Sequence, residues 1–281
     1  AKSTMRIIDA HHHLWQFGRF DYGWIQRGDG PLGRDYLPDD LAAAADPVGV
    51  RGAVLVQTIA SDAESNWFCE LAEANDRIVG VVAWADLTSP ELPGRLDQLT
   101  RQTTKFVGIR AVVRGETDDW FLAPDVLGGL RVLAERAICF DLLIQPRHLR
   151  HVPALARQVP HLQLVIDHLA KPPIRDRALD PWRDDLAAAS QCPNVSCKLS
   201  GMITEADREY WTSDDLRPYV AHAIDCFGCD RLMFGSDWPV CLLAGTYRQT
   251  FDALTECLDR LSESDRAGIL HETAERVYRL G

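Results

Sequence analysis

Eight short runs rich in Val, Ile and Leu recur along this chain, each followed by a longer segment of helical period. The runs are "MRIIDAH" (5–11), "RGAVLVQT" (51–58), "IVGVVAWADL" (78–87), "FVGIRAVV" (106–113), "CFDLLIQ" (139–145), "LQLVIDHL" (162–169), "NVSCKLSG" (194–201) and "RLMFGSDWP" (231–239). A strand with one wet face alternates apolar and polar residues; these runs are apolar on both faces, which suits a parallel sheet covered by helices. The segments between them carry helix signals. "SDAESNWFCELAEAND" opens on Ser61 with Glu64 three residues on, the pattern of a capping box. "DPWRDDLAAASQ" places Pro181 near its first turn, where a missing N–H costs little. Eight strand–helix repeats in 281 residues predict an α/β fold, a single (β/α)8 TIM barrel forming one domain over residues 5–281. An open doubly wound sheet is the competing topology, and no glycine-rich phosphate loop follows the first run to favour it. Residues 1–4 are read as a leftover ahead of Met5 and carry no weight.

Bulk properties narrow the partners. With 46 % apolar residues the chain can bury a large core, and its net charge of −11 argues against a phosphate backbone as ligand. No apolar stretch reaches the roughly 18–20 residues that span a bilayer, and no charged flank precedes a signal-like apolar stretch. The expectation is a soluble cytoplasmic protein, monomer or homo-oligomer, with a small-molecule partner and neither nucleic acid nor membrane. The eight cysteines are scattered, several inside apolar runs, and read as reduced thiols. Cys226 and Cys229 form a C-x-x-C without a second pair at zinc-finger spacing, so they read as the end of an apolar helix.

In a barrel of this kind chemistry sits at the C-terminal ends of the strands. Those ends are where the polar residues fall: Asp9 to His13 on the first, Gln57 on the second, Asp86 on the third, Arg110 in the fourth, Asp167-His168 on the sixth, Lys198 and Ser200 on the seventh, Ser236-Asp237 on the eighth. Charges inside apolar runs are expensive unless paired or bound. Strand alternation lets His11 and His13 face the mouth together while His12 turns away. A lone histidine in such a run reads best as a hydrogen-bonded core residue. Four polar groups converging on one mouth (His11, His13, His168 and Asp237) instead match the nitrogen-and-oxygen ligand set of zinc.

"IDAHHHLW", "VIDHLAKP", "CKLSG" and "LMFGSDWPV" together resemble the amidohydrolase superfamily of the amidohydrolase-2 type, over nearly the whole chain. They resemble the branch that holds the sugar lactonases and the 2-pyrone-4,6-dicarboxylate lactonase. "KLSGMITEADR" with "RLMFGSDWPVCLLAGTY" looks closest to L-fuconolactonase-like proteins, which hydrolyse aldonolactones. The resemblance implies a carbohydrate-metabolism hydrolase. In it His11, His13, His168 and Asp237 would hold a divalent metal and form the catalytic set. Asp237 would be the base for the attacking water. Gln57 and Arg110 would meet substrate oxygens, and Trp15 and Trp24 in the long first loop would lie over the sugar ring. A binuclear centre is not expected, because the fourth run, "GIRAVV", lacks the bridging lysine or glutamate of binuclear members and Lys198 lies on strand seven. Because the branch includes lactonases that work without metal, the resemblance leaves open both whether a divalent ion, zinc being the candidate, is bound and whether activity requires it.

The residues add detail to that implication. Opening a lactone needs an activated water, a stabilised oxyanion and a protonated leaving alkoxide. Lys171, in "HLAKPP", could bind a substrate carboxylate or hydroxyl; Phe17 and Phe20 read as a plug over the barrel; Glu205 and Asp207 read as solvated charges. Three alternatives stand beside the sugar lactonase: a lactonase for an acidic ring from aromatic catabolism, a metal-dependent decarboxylase of the same superfamily, and a non-catalytic sugar-binding barrel.

Overall fold

The computed structural model describes residues 5–113 and 116–281; residues 1–4, set aside above, lie outside them. Eight parallel strands follow one another around a single sheet: β1 Ile8–His12, β2 Gly52–Val56, β3 Ile78–Ala83, β4 Phe106–Val112, β5 Cys139–Leu143, β6 Leu164–Ile166, β7 Val195–Leu199 and β8 Leu232–Phe234. Each lies inside its sequence run, with the exception of the last residue of β1. The barrel closes between the first and last strands, where His13 N–H donates to Trp238 O and Asp237 N–H to His11 O, both at 2.8 Å. The fold is the (β/α)8 TIM barrel that the repeat of apolar runs predicts.

Two layers of apolar residues make the core. Ala53, Leu55, Ile109 and Leu199 belong to the layer between strands and helices, which is continuous around the barrel. Ile8, Val54, Val56, Val82, Val165 and Met233 form the inner layer, packed against Ala274, Val277 and Tyr278 of the last helix, Thr273–Tyr278. At about 25 cal/mol per Å² of apolar surface removed from water, this two-layer burial is the main source of stability. The inner layer does not continue upward as hydrocarbon: Asp141 of β5, Lys198 of β7 and Asp167 after β6 are fully buried above it.

A register shift in β1 sets the direction of the histidines. Asp9 pairs with Ala53 and His12 with Leu55, so three steps along β1 match two along β2. Such a bulge re-aims side chains near a site. Without it, alternation that brings His11 and His13 inward would bring Asp9 inward too. Asp9 instead faces the helical layer, where Tyr247 of the helix Tyr247–Cys257 donates to its Oδ2 at 2.8 Å. His12 is fully buried, and burial pushes its imidazole down to about 3.

The capping box at Ser61 is half formed. Ser61 Oγ accepts from Glu64 N–H at 3.2 Å, but the Glu64 carboxylate turns to the N–H groups of Thr58 (2.9 Å) and Ile59 (3.2 Å). Glu64 thereby holds the loop after β2, and burial pushes its carboxyl up to about 7. All eight cysteines are free. Among the described residues no helix is long and apolar enough to cross a membrane.

Candidate active site

His11, His13, His168 and Asp237 meet at the C-terminal mouth, as alternation and strand-end placement predict. Asp237 Oδ1 lies 3.4 Å from His13 Nε2, 3.7 Å from His11 Nε2 and 3.8 Å from His168 Nε2. His11 Nε2 and His13 Nε2 face each other at 3.1 Å. Each ring is held from behind. His13 Nδ1 sits 2.7 Å from Val56 O, which only an Nδ1–H can satisfy, so in the neutral tautomer that makes this bond Nε2 is the bare nitrogen turned to the mouth. His168 Nδ1 lies 2.7 Å from Ser200 Oγ.

The loop after β8 owes its position to Asp9. Its Oδ1 accepts from the N–H groups of His11 (3.0 Å) and Ser236 (2.8 Å), and its Oδ2 from Ser236 Oγ at 2.5 Å. One carboxylate thus ties the end of β1 to the end of β8. Burial pushes Asp9 up to about 6, against the pull of these hydrogen bonds. Asp237 itself has φ of +54°, a conformation that Asp and Asn tolerate better than other residues with side chains.

The turn after β6 is more unusual. His168, Leu169, Ala170 and Lys171 all have φ between +54° and +58°, one left-handed turn without a glycine. At about 1–2 kcal/mol per residue the turn persists only because its surroundings fix it. Leu169 and Ala170 are fully buried, and Trp182 Nε1–H donates to Leu169 O at 2.7 Å. Gly201, with φ of +63°, makes room for the His168 ring: a Cβ there would lie 2.8 Å from His168 Nδ1. Gly201→Ala is therefore expected to lower stability by about 1–3 kcal/mol and to displace His168. Thermal melting together with turnover checks this; an unchanged melting point would count against it.

Beneath the histidines lies a buried ionic network. Lys198 Nζ is 2.6 Å from Asp141 Oδ2, 3.0 Å from Asp167 Oδ1 and 3.1 Å from His11 Nδ1. Tyr278 OH donates to Asp141 at 2.8 Å. Arg110 donates to Asp167 Oδ2 at 3.0 Å, to Gln57 Oε1 at 2.7 Å through Nη2, and to Gln57 O; its Nη1 also lies 3.4 Å from His11 Nε2. Its N–H groups are thus spent inside the protein, and Arg110 fixes Gln57 and Asp167 by direct contact.

Protonation follows from this packing. Burial, joined by the charge of Lys198, holds His11 well below its usual range against the pull of Asp167, and burial pushes His168 down to about 4, so both rings are neutral near pH 7. Burial would raise Asp237, but His168, and with it His13 and His11, outweigh burial and hold the carboxyl well below the carboxylate range. Burial would likewise raise Asp167, but Lys198 and His11 hold it down. Asp141, where burial wins over Lys198, rises to about 6.

The residues present fit a divalent cation. Donor atoms of His11, His13 and Asp237 all lie within 4.8 Å of one another, as do those of His11, Asp167 and His168. Two bare ring nitrogens bound to one tetrahedral zinc at about 2.0–2.1 Å sit ~3.4 Å apart, close to the His11–His13 spacing. Three carboxylates, Asp141, Asp167 and Asp237, face Lys198 and Arg110 while His11 and His168 are uncharged, a balance that suits a cation.

The remaining sequence candidates divide. Gln57 is fully buried next to Arg110. Trp15 is fully buried too, its Nε1–H on Arg34 O at 2.8 Å and its ring edge-on to Trp24 at 5.6 Å. Trp24 is 41 % exposed, whereas Trp15 has no exposed surface. Phe17 and Phe20 pack against the core. Lys171, three residues along the chain from His168, lines a cavity of about 1000 Å³ formed mainly by the segments that follow β6 and β7. Asp9, Asp167, Ser200 and Ser236, strand-end residues to which the sequence gives no role, and Asp141, inside a strand, all bond within the site.

Residues 8–280 match the family model described as "Amidohydrolase". The L-fucono-1,5-lactonase of Burkholderia ambifaria is 36 % identical over 280 residues, covering 97 % of this chain and 95 % of that protein. The L-fucono-1,5-lactonase of Burkholderia multivorans is 37 % identical over 285 residues, covering 97 % and 96 %. A crystal structure of an amidohydrolase from Burkholderia multivorans with bound zinc superposes with a TM-score of 0.93 at 36 % identity, over 98 % of this chain and 100 % of that one.

Proposed function

The chain belongs to the amidohydrolase family, and from that premise we propose that it hydrolyses a sugar lactone to the aldonic acid, with an L-fucono-1,5-lactone or a close relative as substrate. The observation that carries this reading is the convergence of Asp237 with His11, His13 and His168 at the C-terminal mouth, where the turn that His168 opens ends on Lys171, a residue lining a cavity. Two relatives bearing the lactonase name at 36 % and 37 % identity over nearly the whole chain support it.

In this reading Asp237 accepts a hydrogen bond from the attacking water and orients it toward the lactone carbonyl. The carboxylate is a weak base where it stands, so the proton does not rest on it alone. His13 Nε2, bare and 3.4 Å from Asp237 Oδ1, shares the proton as the carbonyl carbon turns tetrahedral. The proton shared by Asp237 and His13 is then passed to the departing ring oxygen, with His168 Nε2, 3.8 Å from Asp237 Oδ1, placed to relay it. Arg110 lends its charge to the mouth through His11 and Gln57 without leaving its internal partners. Trp24 offers an aromatic face to the apolar side of a sugar ring. A divalent ion held by His11, His13 and Asp237 would supply Lewis-acid polarisation and lower the pKa of water to about 7.

The test is a screen of aldono-1,4- and 1,5-lactones with a pH indicator and carbon dioxide detection. Acid release without gas is the expected result. Gas release would replace this reading by decarboxylation, and binding without turnover would replace it by a sugar-binding role. Treatment with a chelator is expected to lower turnover only in part, because Asp237 and His13 remain in place. Complete loss reversed by zinc would show that the ion is required.

A further inference from the structure

The left-handed turn after β6 presents two side chains at the mouth, His168 at its start and Lys171 at its end. Lys171 N–H closes the turn on His168 O at 2.7 Å. Lys171 Nζ lies 3.8 Å from Oε1 of Glu205, which ends the short helix Met202–Glu205 after β7. That spacing is an ion pair without a direct hydrogen bond. Both side chains are about one-third exposed, and both line the 1000 Å³ cavity. Both are tied to the reacting centre through the backbone: Lys171 closes the turn that His168 opens, and Glu205 ends the helix that begins after Gly201, the residue packed against the His168 ring. Glu205 is thus a partly exposed charge with a partner, Lys171, beside it.

A group that fits between an ammonium and a carboxylate must accept from one and donate to the other. A hydroxyl does both; a substrate carboxylate satisfies Lys171 and repels Glu205. The cavity walls carry Lys171, Arg175 and Arg208 against Asp176, Glu205, Asp207 and Glu209. This balance offers no field that would favour a dianionic ring. We propose that Lys171 and Glu205 clamp one hydroxyl of a neutral polyhydroxylated lactone between them, selecting that substrate class and positioning its carbonyl over Asp237. The inference rests on the lactone-hydrolase reading above.

The experiment compares an aldono-1,5-lactone carrying ring hydroxyls with unsubstituted δ-valerolactone, in wild type, Lys171→Met, Glu205→Gln and the double variant. For each single variant the ratio of kcat/KM for the hydroxylated over the unsubstituted lactone is expected to fall by about 10- to 100-fold, the size of a hydrogen bond to a charged group. The loss is expected mainly in KM. The double variant is expected to lose little more than the worse single one, because both groups grip the same hydroxyl. Lys171→Arg and Glu205→Asp are expected to restore part of the ratio, which a variant damaged only in folding would not show. Parallel losses on the two lactones, or single losses that multiply in the double variant, would overturn the clamp. A wild type that opens both lactones with variants that leave the ratio untouched sinks the clamp alone. A wild type that opens neither sinks the hydrolase reading, and the clamp with it.

Discussion

Asp237→Asn is expected to lower the rate of lactone hydrolysis by about 10²–10⁴-fold, the usual worth of a positioned acid–base group, while leaving the fold intact. The backbone argument for the intact fold is specific. Position 237 has φ of +54°, which Asn tolerates as well as Asp, and its N–H still donates to His11 O. The new amide can donate to the bare Nε2 of His13, 3.4 Å from the atom it replaces. What it cannot do is take a proton from water. The loss has two sources, base and ion ligand, and a comparison separates them. If Asp237 served only to hold an ion, wild type stripped by chelator would be as slow as the variant. The proposal expects the stripped wild type to be faster. Steady-state kinetics on one lactone and melting by circular dichroism suffice; wild-type-like turnover in the variant would remove Asp237 from the chemistry.

The parts of this protein legible in the sequence are those fixed by period. Apolar runs repeat eight times because a barrel strand is covered on both faces, and that pattern needs no long-range knowledge. His11 and His13 are legible for the same reason, two residues apart at a strand end. Asp9 is not, because a bulge between Asp9 and His12 reverses its facing, and bulges leave no periodic trace. Asp141 stands in the middle of "CFDLLIQ" and looks like a lone polar intrusion; only the register beside Arg110 and the reach of Lys198 give it a partner. Glu64 shows the limit of local rules. Its spacing from Ser61 predicts a reciprocal cap, and the side chain goes instead to backbone N–H groups that nothing in that segment announces. The left-handed turn at 168–171 is equally silent, since none of its four residues is a glycine.

Lys198→Met is expected to cost about 3–5 kcal/mol of stability, the penalty for breaking a buried ion pair and leaving its partner charged. Methionine fills the same channel, so the loss is electrostatic rather than a cavity. Without Nζ, Asp141 keeps only Tyr278 OH and Asp167 keeps Arg110 and His11. The effect depends on pH, and its direction follows from Asp141. In the native protein its carboxyl titrates at about 6, above its ordinary value of 3.8, so its ionisation removes stability as pH rises between those values. Taking away the lysine raises that carboxyl further, so the penalty keeps growing above pH 6 and the variant is worst in mild alkali. At pH 5, where Asp141 is already largely protonated, the deficit shrinks. Adding Asp141→Asn removes the orphaned charge and is expected to recover much of the loss, since a neutral pair is often as stable as a buried ionic one. Melting of the three proteins at pH 5 and pH 8 tests this; a single variant that melts like wild type at pH 8 would mean that the Lys198 ammonium is not what holds the two carboxylates under the histidines.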